Sequence, residues 1–123
     1  MGLIYKQLTL TGSKGSKVFK ALMDNGASRC FIRETEVQEI AEPLKAPAPF
    51  IVELGRGTVT IEKATTLLVD LKGYALFWTF YILPGLTEEA IIGADFFQAW
   101  KIKLDPVTED IIIDPQALKI KLV

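Results

Sequence analysis

Short β-prone segments closed by glycine or proline turns recur along most of this chain, and that rhythm constrains the fold more than any other feature. Residues 4–11 alternate loosely around Leu8 and Leu10, and residues 17–23 return as a second strand after Gly12-Ser13-Lys14-Gly15-Ser16. The spacing in that turn fails the Gly-x-x-x-x-Gly-Lys-Ser/Thr requirement of a phosphate loop, so a solvated hairpin turn is expected. Residues 33–42 suit a short helix or irregular turn, and Pro43, Pro47 and Pro49 then force extended chain. Residues 49–54 and 58–62 flank Gly55-Arg56-Gly57 as the arms of a hairpin. Residues 65–72 and 74–83 follow as two further strands, then 101–104, 111–113 and 117–123. Residues 94–100 make the one convincing helix, because Phe96, Phe97 and Trp100 recur at spacings of three and four. The expected fold is all-β: a small closed or partly closed barrel with one short helix in the C-terminal third.

Composition removes whole classes of function. The 123 residues, half of them hydrophobic, suit one domain spanning 1–123 with a real core. Lys plus Arg number 14 against 15 Asp plus Glu, so a net charge of −1 offers no broad attraction for nucleic acid or an anionic membrane. The apolar stretch 74–83 is about half the ~20 residues a membrane-spanning helix needs, so no membrane insertion is expected. The N-terminus lacks a basic segment leading into an apolar core, so no signal peptide is expected. A cytoplasmic location, or a soluble domain of a larger protein, follows as the expectation. Histidine is absent and Cys30 is the only cysteine. Imidazole general bases, Ser-His and Cys-His pairs, His-ligated metals and multi-cysteine zinc sites therefore fall away together. No metal or other cofactor is expected, and Cys30 fits a small core residue better than a nucleophile.

Hydrolysis in such a chain must rest on carboxylates or lysines, and one aspartate is set apart by its surroundings. Asp24-Asn25-Gly26-Ala27 stands between the apolar runs 18–23 and 30–32, where a sharp turn at the end of a buried strand can aim one carboxylate into an apolar cleft. By itself Asp-Asn-Gly is also a plain turn sequence, since Asn and Gly tolerate positive φ. Asp95, near the start of the helix, suits a local cap better than an ion pair with Arg29. The aromatics Trp78, Phe80, Phe96, Phe97 and Trp100 suit core packing.

Three segments together, in order, carry more than the turn alone: Asp24-Asn25-Gly26-Ala27, the hairpin Leu54-Gly55-Arg56-Gly57-Thr58, and Ala90-Ile91-Ile92-Gly93-Ala94-Asp95 before the helix. Their layout from about residue 7 to 113 resembles the retropepsin-like family of retroviral-type aspartic proteases, in which Asp, Thr or Ser, then Gly-Ala follows an apolar strand. The resemblance implies a barrel of retropepsin type and makes Asp24 the catalytic residue. Asn25, Gly26 and Ala27 become the active-site loop. Leu54, Gly55, Arg56, Gly57 and Thr58 become a flap over an extended peptide substrate. Peptide hydrolysis needs a base for water and an acid for the leaving nitrogen, and two carboxylates sharing a proton supply both. The chain has one Asp-x-Gly, so a homodimer must bring two copies of Asp24 to its axis, with terminal strands contributing to the interface. Asn25 departs from the family's Thr or Ser. A catalytically silent retropepsin-like domain that dimerises or binds peptides is the alternative, and an unrelated β-barrel ligand-binding domain, in which Asp24 merely turns a hairpin, is a third.

Overall fold

A computed structural model of the chain describes residues 3–119. The strands are β1 (Ile4–Gly12), β2 (Gly15–Met23), β3 (Cys30–Arg33), β4 (Leu44–Leu54), β5 (Gly57–Leu71), β6 (Tyr74–Leu83), β7 (Ala90–Ile92), β8 (Lys103–Asp105) and β9 (Asp110–Ile112). The helices are α1 (Glu34–Val37) and α2 (Ala94–Trp100), with a 3-10 turn at Pro115–Leu118. The order β1-β2-β7-β3-β6-β5, with β5 pairing back onto β1, closes a six-strand barrel. Alternation along β5 shows why the wall closes round a core: Ile61, Thr65, Leu67, Val69 and Leu71 are buried, while Glu62, Thr66 and Asp70 face out. Phe19, Phe80 and Phe96 are the largest side chains wholly enclosed.

The structure joins two expected strands into one. Residues 58–62 and 65–71 lie on the single 15-residue strand β5, because neither glycine nor proline interrupts the stretch from Thr58 to Leu71 and the side-chain alternation resumes beyond Lys63 and Ala64, while Lys72, expected on the same strand, lies in the turn before Gly73. That length has a consequence. From Ala64 to Leu71, β5 pairs with β6 in the barrel wall, whereas from Gly57 to Lys63 its partner is β4. The β4–β5 hairpin therefore projects past the wall. Its foot is packed by a second apolar cluster of Phe31, Ile61 and Leu83, against which Phe50, Val52, Val59 and Tyr81 lie. The register of β4 against β5 shifts between Lys45 and Phe50, where Pro47 and Pro49 supply no N–H to the ladder.

The C-terminal stretch differs from expectation as well. Residues 117–123 alternate like a strand, but Pro115–Leu118 form a 3-10 turn in which Asp114 accepts the Gln116 N–H at 3.0 Å. A proline just inside such a cap fixes the first turn against extended backbone. Residues 120–123 lie outside the described residues. At the other end, β1 pairs along its length with β2 but only Thr9–Thr11 meet β5, so residues 4–8 have one open edge among the described residues.

Between β3 and α1, Arg33 grips Glu36 with two parallel bonds, Nε to Oε2 at 2.7 Å and Nη2 to Oε1 at 2.6 Å, and its Nη1 reaches the Thr87 carbonyl at 2.9 Å. The Arg33 hydrogen bonds come first among the causes that hold the Glu36 carboxyl at about 2, below its ordinary 4.5. A depressed carboxyl pKa stabilises the fold above the ordinary value, and that contribution is lost as pH falls from about 4.5 towards 2. Glu36→Gln is expected to lower the melting temperature by about 4 °C at pH 6. Melts repeated down to pH 2 should show the gap to the parent closing; a gap independent of pH would contradict the pairing.

Candidate active site

Strand β2 ends in the buried side chains of Ala21, Leu22 and Met23, and the chain turns at once. Asp24 is held there by both backbone and side chain. Its N–H donates to the Ile92 carbonyl at 2.9 Å, its carbonyl accepts the Ala27 N–H at 3.2 Å, and its Oδ1 accepts the Gly26 N–H at 2.8 Å. The last bond is an Asx turn, which the Asp-x-Gly order favours. The other carboxylate oxygen takes no hydrogen bond among the described residues. Asp24 is half-buried, while Asn25 and Gly26 are exposed and Ala27 half-buried. No hydrogen bond of the Asn25 side chain occurs among the described residues.

A second layer fixes this loop from behind. The Ala94 N–H donates to the Ala27 carbonyl at 2.7 Å, and the Gly93 N–H to Cys30 Sγ at 3.3 Å. Gly93 is required by proximity rather than by dihedral angle: a Cβ there would stand 2.2 Å from the Arg29 carbonyl oxygen and 2.8 Å from that of Ala27. The loop and the start of α2 are thus in backbone-to-backbone contact. Cys30 is fully enclosed, and desolvation pushes its thiol well above the usual range, which suits a packing role and not a nucleophile.

Asp95 does not cap α2; the N-cap position is Gly93, which has no side chain to offer. Asp95 Oδ1 accepts the Phe96 N–H at 2.9 Å and the Cys30 thiol at 3.5 Å, and Oδ2 accepts the Trp78 indole N–H at 3.0 Å. Asp95 thereby ties β6, β3 and α2 together, and no ion pair joins it to Arg29 among the described residues. Trp78 packs edge-to-face on Phe96 and Trp100, so its ring serves the core while its N–H serves Asp95.

The five residues expected to form a flap lie at the end of the β4–β5 hairpin. Leu54 pairs with Gly57 across the two-residue turn Gly55-Arg56, and Gly57, at φ +130°, occupies a backbone region that side chains disfavour. Leu54, Gly55, Arg56, Gly57 and Thr58 are all exposed. No hydrogen bond or ion pair among the described residues connects them to Asp24. What the fold does bring together is the β4 arm and the chain just past the Asp24 loop. Ser28, Arg29 and Phe31 face Phe50, Ile51, Val52 and Glu53 across a cleft of about 450 Å³. Sequence inspection missed these cleft walls; the alternation of Phe50 and Val52 on one arm of the hairpin was the available signal.

A closed six-strand barrel, an Asp turn pinned beneath the first helical turn after β7, and a projecting hairpin define the retropepsin class of fold. Solved structures support this. The chain is similar to the retroviral protease-like domain of Ddi1 from Leishmania major, with TM-score 0.65 and 18% identity over 93% of this chain and 86% of that one. It is also similar to the EIAV protease complexed with the inhibitor HBY-793, with TM-score 0.62 and 15% identity over 85% of this chain and 93% of that one. The sequence profile described as retroviral aspartyl protease matches residues 7–105, and the chain belongs to that family. Among curated proteins, no sequence match is found. No helix among the described residues is long and apolar enough to cross a membrane.

Proposed function

We propose that the chain is one domain, an aspartic endopeptidase whose catalytic group is a pair of Asp24 carboxylates contributed by two copies related by a two-fold axis. The observation that carries this proposal is the Asp24 turn itself. Its carboxylate leaves the end of a buried strand, is oriented by the Gly26 N–H, and is braced through Ile92 and Ala94, and the chain just past its turn walls a cleft with Phe31, Phe50 and Val52. Family membership over residues 7–105 supports the same assignment. Two carboxylates brought into contact share one proton. The ionised member takes a proton from water as the oxygen attacks the peptide carbonyl carbon. The protonated member hydrogen-bonds the carbonyl oxygen, and a proton then passes to the nitrogen as the C–N bond breaks. An extended peptide lies between Asp24 and the β4–β5 hairpin, whose exposed glycines let the tip close over it. The edge of β1 at residues 4–8, unpaired among the described residues, suits a strand of the second copy. A peptide-library cleavage assay from pH 3 to 7 tests the proposal: cleavage confined to acidic or near-neutral pH supports it, and no cleavage of any peptide contradicts it.

Asn25 favours a second reading, a silent domain that dimerises or binds peptides. The family's Thr or Ser hydroxyl bonds across the dimer axis, whereas Asn25 offers a larger planar amide that is exposed and unbonded among the described residues. An amide poorly matched at a crowded axis costs about 1–3 kcal/mol. Asn25→Thr is therefore expected to tighten the dimer and raise turnover together, each by about tenfold. Dimer dissociation and turnover of one apolar peptide at matched pH check this. Tighter association with no turnover would favour the silent domain, and no change in either would show that Asn25 already does the hydroxyl's work.

A further inference from the structure

Arg29 is the one cation among the residues walling the 450 Å³ cleft, where its neighbours include Phe31, Phe50 and Val52. It also lines an adjoining cavity of about 400 Å³ with Trp78, Tyr81 and Asp95, so its side chain stands at the junction of the two. Nothing among the described residues consumes its charge. Its one side-chain hydrogen bond runs from Nη1 to the Ser28 carbonyl at 3.0 Å, and it enters no ion pair among the described residues. The carboxylate that shares the second cavity with it is already engaged: both Asp95 oxygens accept bonds from Trp78, Cys30 and Phe96. Glu53 shares the cleft from the β4 side without closing an ion pair onto Arg29. An exposed guanidinium beside Phe31, Phe50 and Val52, with donors to spare, suits a carboxylate.

We propose that Arg29 makes this site select extended peptides carrying an acidic side chain close to the cleaved bond. This rests on the endopeptidase assignment and adds a substrate class to it. Arg29 lies five residues beyond Asp24, a stretch that reaches at most about 17 Å fully extended. The bond from the Ala27 N–H to the Asp24 carbonyl folds part of that stretch into a turn, so the acidic residue falls within about four residues of the cleaved bond. Across a two-fold axis the peptide meets Arg29 twice, once on each side of that bond. Acid preference is therefore expected at two positions and not one.

The test uses fluorogenic peptides with apolar residues at the cleaved bond, identical except for Glu or Gln scanned through the flanking positions. The parent protein should show a Glu-to-Gln ratio in kcat/KM of about ten at the preferred positions, or about 1.4 kcal/mol. Arg29→Gln should bring the ratio to about one, Arg29→Glu should invert it, and Arg29→Lys should restore part of it, since an ammonium keeps the charge but not the fork. Glu53→Gln should increase it by removing a like charge from the cleft. A parent ratio near one at every position, or a ratio that survives Arg29→Glu, overturns the proposal. Fluorescence anisotropy of the same peptides on Asp24→Asn protein separates the two claims. Tighter binding of Glu peptides without cleavage by the parent keeps the acid selectivity and sinks the protease. Cleavage with no Glu preference does the reverse, and neither binding nor cleavage removes both.

Discussion

Asp24→Ala is expected to yield a folded protein that has lost cleavage of every peptide the parent cleaves, by about 10³-fold or more. The fold should survive because the bonds that shape the turn are mostly from the backbone: the Asp24 N–H to Ile92 and the Ala27 N–H to the Asp24 carbonyl remain available. Only the side-chain bond from Gly26 is deleted, and Asp24 is half-buried, so no deep cavity opens. Activity has no such reserve. The chain has no histidine, and the loop from Asp24 to Arg29 holds no second carboxylate to take over. Far-ultraviolet circular dichroism and thermal melting should match the parent while turnover vanishes. Specific cleavage that persists in the mutant at the parent's rate would assign the chemistry elsewhere.

Gly93→Ala is expected to destabilise the protein by up to about 3 kcal/mol and to abolish activity in whatever folds. The added Cβ would meet the Arg29 carbonyl oxygen at 2.2 Å and the Arg29 carbonyl carbon at 2.7 Å. Both atoms are backbone, so no rotamer change relieves the contact. Either α2 or the loop from Ala27 to Arg29 must move, and the bond from Ala94 to Ala27 goes with it. Urea unfolding measures the loss. Backbone strain adds nothing to this cost, because Gly93 has an ordinary extended backbone with φ −102°. A variant with the parent's midpoint and turnover would show that the loop and helix are not in the close contact described.

The parts of this fold that were legible in the sequence are those written by local chemistry. Helix α2 follows from Phe96, Phe97 and Trp100 on one face, and the first hairpin follows from glycines at Gly12 and Gly15. The Asp24 turn follows from an Asp-x-Gly order that makes its own side-chain bond. Local signals also misled. Lys63 and Ala64 look like a break between strands but lie within β5, since only the neighbours β4 and β6 decide where one pairing hands over to the next. Leu118, Ile120 and Leu122 alternate, yet Asp114 and Pro115 set a 3-10 turn over the first of them. Asp95 was open to a capping role because its partners Cys30 and Trp78 are 65 and 17 residues away. The cleft was illegible for the same reason, as only the pairing of β4 onto β5 beside the barrel brings Phe50 and Glu53 opposite Arg29.

The central claim is that two chains share one catalytic pair, and mixing tests it most directly. A fixed amount of parent protein is co-refolded with increasing Asp24→Ala protein, and cleavage of one peptide is followed. Random pairing with an equal amount of mutant leaves about half of the parent's activity, because mixed dimers hold a single carboxylate, and further excess should drive the rate towards zero. A rate that stays constant through a tenfold excess of mutant, while sedimentation shows the two proteins associating, would mean that each Asp24 works alone and would contradict the account.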